Sequence, residues 1–199
     1  MTPVTTATKI TTARFFFVPP LVVAVCGAAW WPEHALLMRI VALALLAGGA
    51  MTDLLDGYVA RRFDQRTRLG AALDPLADKL LLGAAIWAIW ASRSAAVAVP
   101  LWYPAIVTLN DAVLGLGYLA VRRRIDPDEL RAMPWGKVAT AVQILTVAWL
   151  LARWPSVGPP AAGAAIIAAA AACTAGSGAA YVLRALRLIG KMKPQTQNS

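Results

Sequence analysis

The sequence predicts an all-α integral membrane protein with six transmembrane helices, on three observations. The 199 residues are 59% hydrophobic and only 15% charged, with a mean hydropathy of +0.62. Apolar stretches of about 20 residues, the length a helix needs to cross the hydrocarbon core of a bilayer, recur six times. The basic residues fall almost entirely on one side of the spans so defined. A chain of this length is read as one domain, residues 1–199.

The first stretch, 10–30, is long and lacks an obvious small-residue cleavage site, so it is expected to stay in the protein. The second, 35–60, runs into Asp53 and Asp56. The third, 70–92, opens on Asp74 and Asp78. Between them Ala60 to Leu69 is polar and basic, fit for a cytoplasmic break between two antiparallel helices; Asp64 belongs to that solvated break. The fourth stretch, 100–121, carries Asn110-Asp111. The fifth, 137–153, is short, and the sixth, 159–183, is so rich in Ala that its ends are soft. Trp30, Trp31, Trp90, Trp102 and Trp154 gather near span ends, as interfacial aromatics do.

The formal net charge is +9, but its distribution argues against nucleic acid. Lys9, Arg14, Arg61, Arg62, Arg66, Arg68, Arg122, Arg123, Arg124, Arg131, Lys137, Arg184, Arg187, Lys191 and Lys193 share one side, while the other holds only Arg39, Arg93 and Arg153. Such a positive-inside bias puts both termini and the loops 61–69 and 122–136 in the cytoplasm. It also attracts anionic headgroups and phosphates. Cys26 and Cys173 lie in apolar company in the first and last spans. With no CxxC and no Cys/His pairing, they are read as small core residues. His34, in a short outer loop, has no plausible catalytic partner.

Within this apolar chain Asp53, Asp56, Asp74 and Asp78 form one tight frame. A carboxylate at bilayer depth costs roughly 2.5 kcal/mol or more, so an intramembrane cluster marks a functional site. On helices, spacings of three and four put each pair on one face. If the two helices turn back on each other, the pairs meet just below the cytoplasmic surface. Four carboxylates held together require positive charge, and hard oxygen ligands suit magnesium, manganese or calcium better than zinc. Gly57, Ala60 and Gly70 are small residues that leave room for a phosphate near the backbone, and Arg61 and Arg62 offer cations to a pyrophosphate. A carboxylate cluster also suits a small ion-coupled transporter. Transporters commonly show paired repeats with broken helices, and no internal repeat is found here.

The frame D-x2-D-G-x2-A-R-x8-G-x3-D-x3-D resembles the signature of the CDP-alcohol phosphotransferase (CDP-alcohol phosphatidyltransferase) family, membrane enzymes of phospholipid synthesis. Asp53, Asp56, Gly57, Ala60, Arg61, Gly70, Asp74 and Asp78 fill every fixed position. The resemblance implies a six-helix fold with a polar cavity open to the cytoplasm. It implies two divalent cations, magnesium or manganese, held by Asp53, Asp56, Asp74 and Asp78. Gly57, Ala60, Arg61 and Gly70 would cradle the cytidine diphosphate of CDP-diacylglycerol, and Asp78 would serve as general base. Intramembrane prenyltransferases also use aspartate-rich motifs, but theirs lie farther apart in longer chains.

Pro134-Trp-Gly136-Lys137-Val-Ala-Thr140-Ala-Val-Gln143 is similar to a stretch in the family's bacterial phosphatidylglycerophosphate synthases, and Thr11-Thr-Ala-Arg14 is similar to their opening. Glycerol-3-phosphate is therefore the expected acceptor, with release of CMP. Phosphatidylglycerol, the acceptor of the related cardiolipin synthases, is the alternative, because Asn110-Asp111 stands where Arg-Glu is expected. Arg14, Arg122, Lys137 and Asp111 are the candidates at the acceptor's phosphate; pairing of Asp111 with a buried Arg or Lys is equally open. The expected setting is a bacterial inner membrane with a cytoplasmic active site, membrane lipids as partners, and a homodimer as one assembly open to the chain.

Overall fold

A computed structural model describes the backbone of residues 6–63, 68–93, 98–121, 134–152 and 160–191, and the side chains of 16–52, 79–93, 98–117, 136–152 and 161–187. The described residues form six α-helices and no strand: α1 Thr6–Trp30, α2 Ala35–Phe63, α3 Arg68–Ser92, α4 Trp102–Val121, α5 Pro134–Ala152 and α6 Pro160–Lys191. Each coincides with one of the six apolar stretches. Pro134 and Pro160 open α5 and α6, where a residue without an N–H costs nothing and its fixed φ already suits a helix. Arg93 takes a φ of 52° at the end of α3, the left-handed turn that commonly stops a helix.

Between α1 and α2 the chain reverses through a single 3-10 turn, Pro32–His34. Gly27 lets the reversal pack tightly. A Cβ on Gly27 would lie 3.1 Å from the Trp31 ring and 3.3 Å from the Met38 sulfur, and the Trp31 amide donates to the Gly27 carbonyl at 2.9 Å. His34 is exposed in this turn.

Contact pairs fix the helix directions. Gly27 faces Met38, and a Cβ on Gly48 would meet Phe17, so α1 and α2 run antiparallel. Lys79 pairs with Asp111, and the Trp87 indole donates to the Thr108 hydroxyl at 2.9 Å, so α3 and α4 are antiparallel too. Asn110 sits against Gly178, and Gly117 approaches Tyr181, which makes α4 and α6 parallel. In packing, α1 lies against α2 and α3, α6 lies against α4 and α5, and α2–α5, α3–α4 and α3–α5 contacts join the two trios.

The described core gathers toward one end of this bundle. Leu21, Val25, Ala42, Leu46, Ile86, Ile89, Tyr103, Val107, Val147, Leu150 and Ile167 are all buried there, near the α1–α2 turn. The opposite end, where α2 finishes and α3 begins, carries the acidic frame. Outside, large apolar side chains point away from the bundle: Leu109, Leu116 and Leu145 are each about two-thirds exposed. A water-soluble monomer rarely shows so much apolar surface. Among the described residues, Pro32–Thr52 and Ala161–Arg187 are long and apolar enough to cross a membrane, and Phe16–Trp30, Lys79–Ser92 and Gly136–Ala152 are shorter apolar helices.

Candidate active site

The acidic frame divides between two helices. Asp53, Asp56, Gly57, Ala60 and Arg61 lie in the second half of α2, and Gly70, Asp74 and Asp78 lie in the first half of α3. Their side chains are outside the described residues, but the contact beside them is described. Gly49 of α2 meets Leu81 of α3 so closely that a Cβ on Gly49 would collide with the leucine Cδ2. An α-helix turns about 100° per residue. Gly49, Asp53 and Asp56 therefore share one face of α2, at i, i+4 and i+7. Leu81, Asp78 and Asp74 share one face of α3, at i, i−3 and i−7. Packing Gly49 on Leu81 turns these two faces toward each other.

Thr52, next to Asp53, uses its hydroxyl within α2. It donates to the Gly48 carbonyl at 2.6 Å and the Gly49 carbonyl at 2.9 Å, a back-bond that slightly bends helices. The small-residue pair Gly48-Gly49 thus forms both the approach to α3 and the anchor for the residue before the frame.

On α3 the residue after Asp78 points elsewhere. The Lys79 ammonium donates to Oδ1 of Asp111 on α4; the two side chains are 34% and 19% exposed. Asn110, the preceding residue of α4, fills the space that a side chain on Gly178 of α6 would need. Adjacent α4 residues therefore tie α3 by charge and α6 by shape. Of the two readings open for Asp111, pairing with a lysine is the one seen.

Lys137 is exposed in the first turn of α5. Arg14 lies within α1 with its side chain outside the described residues, and Arg122 lies outside them altogether. Gln143, from the same stretch as Lys137, is buried, and its amide donates to the Thr174 hydroxyl of α6 at 2.7 Å. Thr174 in turn donates to the Ala170 carbonyl at 2.8 Å. Gln143 is thereby a helix-joining residue. Sequence reasoning missed Gly49, Lys79, Thr174 and Gly178. Only Lys79 left a signal, its position beside Asp78.

A model of the CDP-alcohol phosphatidyltransferase family matches residues 4–176. A probable phosphatidylglycerophosphate synthase of Mycobacterium tuberculosis (strain H37Rv) is 32% identical over 188 residues, covering 94% of this chain and 84% of the relative. Proteins named CDP-diacylglycerol–glycerol-3-phosphate 3-phosphatidyltransferase from Salmonella choleraesuis (strain SC-B67) and Escherichia coli (strain K12) are each 34% identical over 173 residues. Those matches cover 80% of this chain and 82% of each relative.

Proposed function

The chain belongs to the CDP-alcohol phosphatidyltransferase family, and from that premise we propose that it transfers the phosphatidyl group of CDP-diacylglycerol to glycerol-3-phosphate. The observation that carries the reading is the complete eight-position frame, divided between α2 and α3, with its four aspartates at positions on the helix faces aligned with the Gly49–Leu81 contact. The names of the relatives favour glycerol-3-phosphate over a lipid acceptor.

The donor set fits divalent metal: four hard carboxylates from two helices in contact, with Arg61 and Arg62 following Asp53 and Asp56 in the sequence. Asp53, Asp56, Asp74 and Asp78 would hold two such ions, magnesium or manganese. What such ions would supply there is charge neutralisation of the phosphoryl oxygens and of the leaving CMP. Gly57, Ala60 and Gly70 leave the backbone open to the cytidine diphosphate, and Arg61 meets its charge. The acceptor hydroxyl attacks the phosphorus that bears the lipid, and the bond from that phosphorus to the CMP oxygen breaks. Asp78 takes the hydroxyl proton, and CMP leaves. Arg14, Arg122 and Lys137 supply cations for the acceptor's phosphate.

All six helices cross the bilayer in this reading, with a polar cavity open to the cytoplasm at the end that carries the frame. The chain acts as a single domain, residues 1–199, in the inner membrane of a bacterium. The test is product analysis. Purified protein given CDP-diacylglycerol and glycerol-3-phosphate should yield phosphatidylglycerophosphate and CMP by mass spectrometry, and no cardiolipin when phosphatidylglycerol is the acceptor. Cardiolipin as sole product overturns the acceptor while leaving the aspartate chemistry in place. No CMP from any acceptor overturns the activity.

A further inference from the structure

Lys79 is a cation placed one residue from the acidic frame, with its side chain 34% exposed. Its closest anion by sequence is Asp78, yet its ammonium is drawn to Asp111 across the α3–α4 interface. Successive residues of a helix point about 100° apart, so α3 turns Lys79 toward α4 while Asp78 lies on the face set toward α2. A lysine stem is long and flexible and carries a compact charge. Freed from Asp111, that charge would turn to the nearest anions left to it, and the sequence puts four carboxylates there. Asp111 itself is well anchored, because Asn110 beside it is wedged against Gly178 of α6.

We propose that Asp111 is a positioning residue for the divalent-cation site: by holding the Lys79 ammonium against α4, it keeps a competing cation away from the aspartates. The inference rests on the reading of those aspartates as metal ligands. It differs from a direct contact between Asp111 and the acceptor, which would leave metal affinity untouched. It differs also from a purely structural tie, whose loss would not be repaired by removing Lys79 as well.

The experiment measures manganese binding to the full chain in detergent, by loss of the free-ion electron paramagnetic resonance signal in the presence of CDP, alongside thermal melting. Asp111→Asn should weaken manganese binding about tenfold, the order expected when one released positive charge competes at a partly solvated cation site. Lys79→Met combined with Asp111→Asn should restore binding to near wild type, while both variants melt below it. Unchanged manganese affinity in Asp111→Asn overturns the proposal. Equal weakening in the single and double variants overturns it as well, assigning the pair to packing alone. Wild-type protein that binds no manganese removes the metal-site reading beneath it, an outcome distinct from the other two.

Discussion

In the proposed mechanism Asp78 is both general base and neighbour of a divalent cation, two demands that oppose each other. Close placement against the acceptor hydroxyl compensates for modest basicity. Asp78→Asn should therefore lower kcat by about 10²–10⁴-fold, the range of general-base contributions, while CDP-diacylglycerol binding changes little, since the base acts only in the transition state. Asp53→Asn and Asp74→Asn should lose donor binding together with turnover. Equilibrium donor binding and CMP release, measured separately, distinguish the two classes; near-normal turnover in Asp78→Asn would remove it as the base. As candidates these residues stand out in the sequence because a carboxylate among apolar flanks has few other reasons to be there, and because fixed spacing alone defines the frame. The partner of Asp111 was not legible. Lys79 and Asp111 are 32 positions apart, and their meeting depends on how α3 and α4 rotate against each other, which hydropathy does not encode.

Helix-to-helix fit is where the frame acquires its geometry. Gly49 brings α2 onto Leu81, and any side chain there must displace a buried leucine. Replacing a helical glycine by alanine gains about 1 kcal/mol in propensity, whereas overpacking a tight contact costs about 1–3 kcal/mol. The bulkier Gly49→Val, which also loses the alanine advantage, should lower the melting temperature and weaken donor binding together. Leu81→Ala in the same chain should recover part of both, because it reopens the space. Melting and CDP binding on the four members of that double-mutant cycle check it, and additive losses would deny the contact its role. Gln143→Ala gives the contrasting case. It should remove the buried bond to Thr174, worth about 0.6–1.7 kcal/mol between membrane helices, and leave the KM for glycerol-3-phosphate unchanged. Helix positions themselves were legible to within a few residues. The largest difference is at α6, expected to end near 183 and running to Lys191. There hydropathy stops at the basic residues Arg184, Arg187 and Lys191, but arginine, leucine and lysine are good helix formers, so the helix continues past the apolar stretch. Gly49 escaped notice for the opposite reason: a glycine in an apolar helix is common, and only the neighbour reveals its use.

For the molecule as a whole, the one-sided basic residues and the outward apolar surface make a joint prediction about topology. Both ends of α1 through α6 alternate sides if every helix crosses, so His34 in the α1–α2 turn and Lys137 at the start of α5 are separated by three crossings and must face opposite compartments. Arg187, near the end of α6, is separated from Lys137 by two more and must share its side. The positive-inside distribution predicts that Lys137 and Arg187 are cytoplasmic, on the side from which a water-soluble acceptor such as glycerol-3-phosphate would reach the frame. All three positions are exposed, so single cysteines there, in a chain with Cys26 and Cys173 replaced by alanine, report their compartment. With a membrane-impermeant maleimide, His34→Cys should label in intact spheroplasts, and Lys137→Cys and Arg187→Cys only after lysis. Labelling of Arg187→Cys from outside would mean that α5 or α6 fails to cross, the error that the short fifth stretch invites. Labelling of His34→Cys only after lysis, with the other two reactive in intact spheroplasts, would invert the protein and place the aspartates on the wrong side of the membrane for the proposed acceptor.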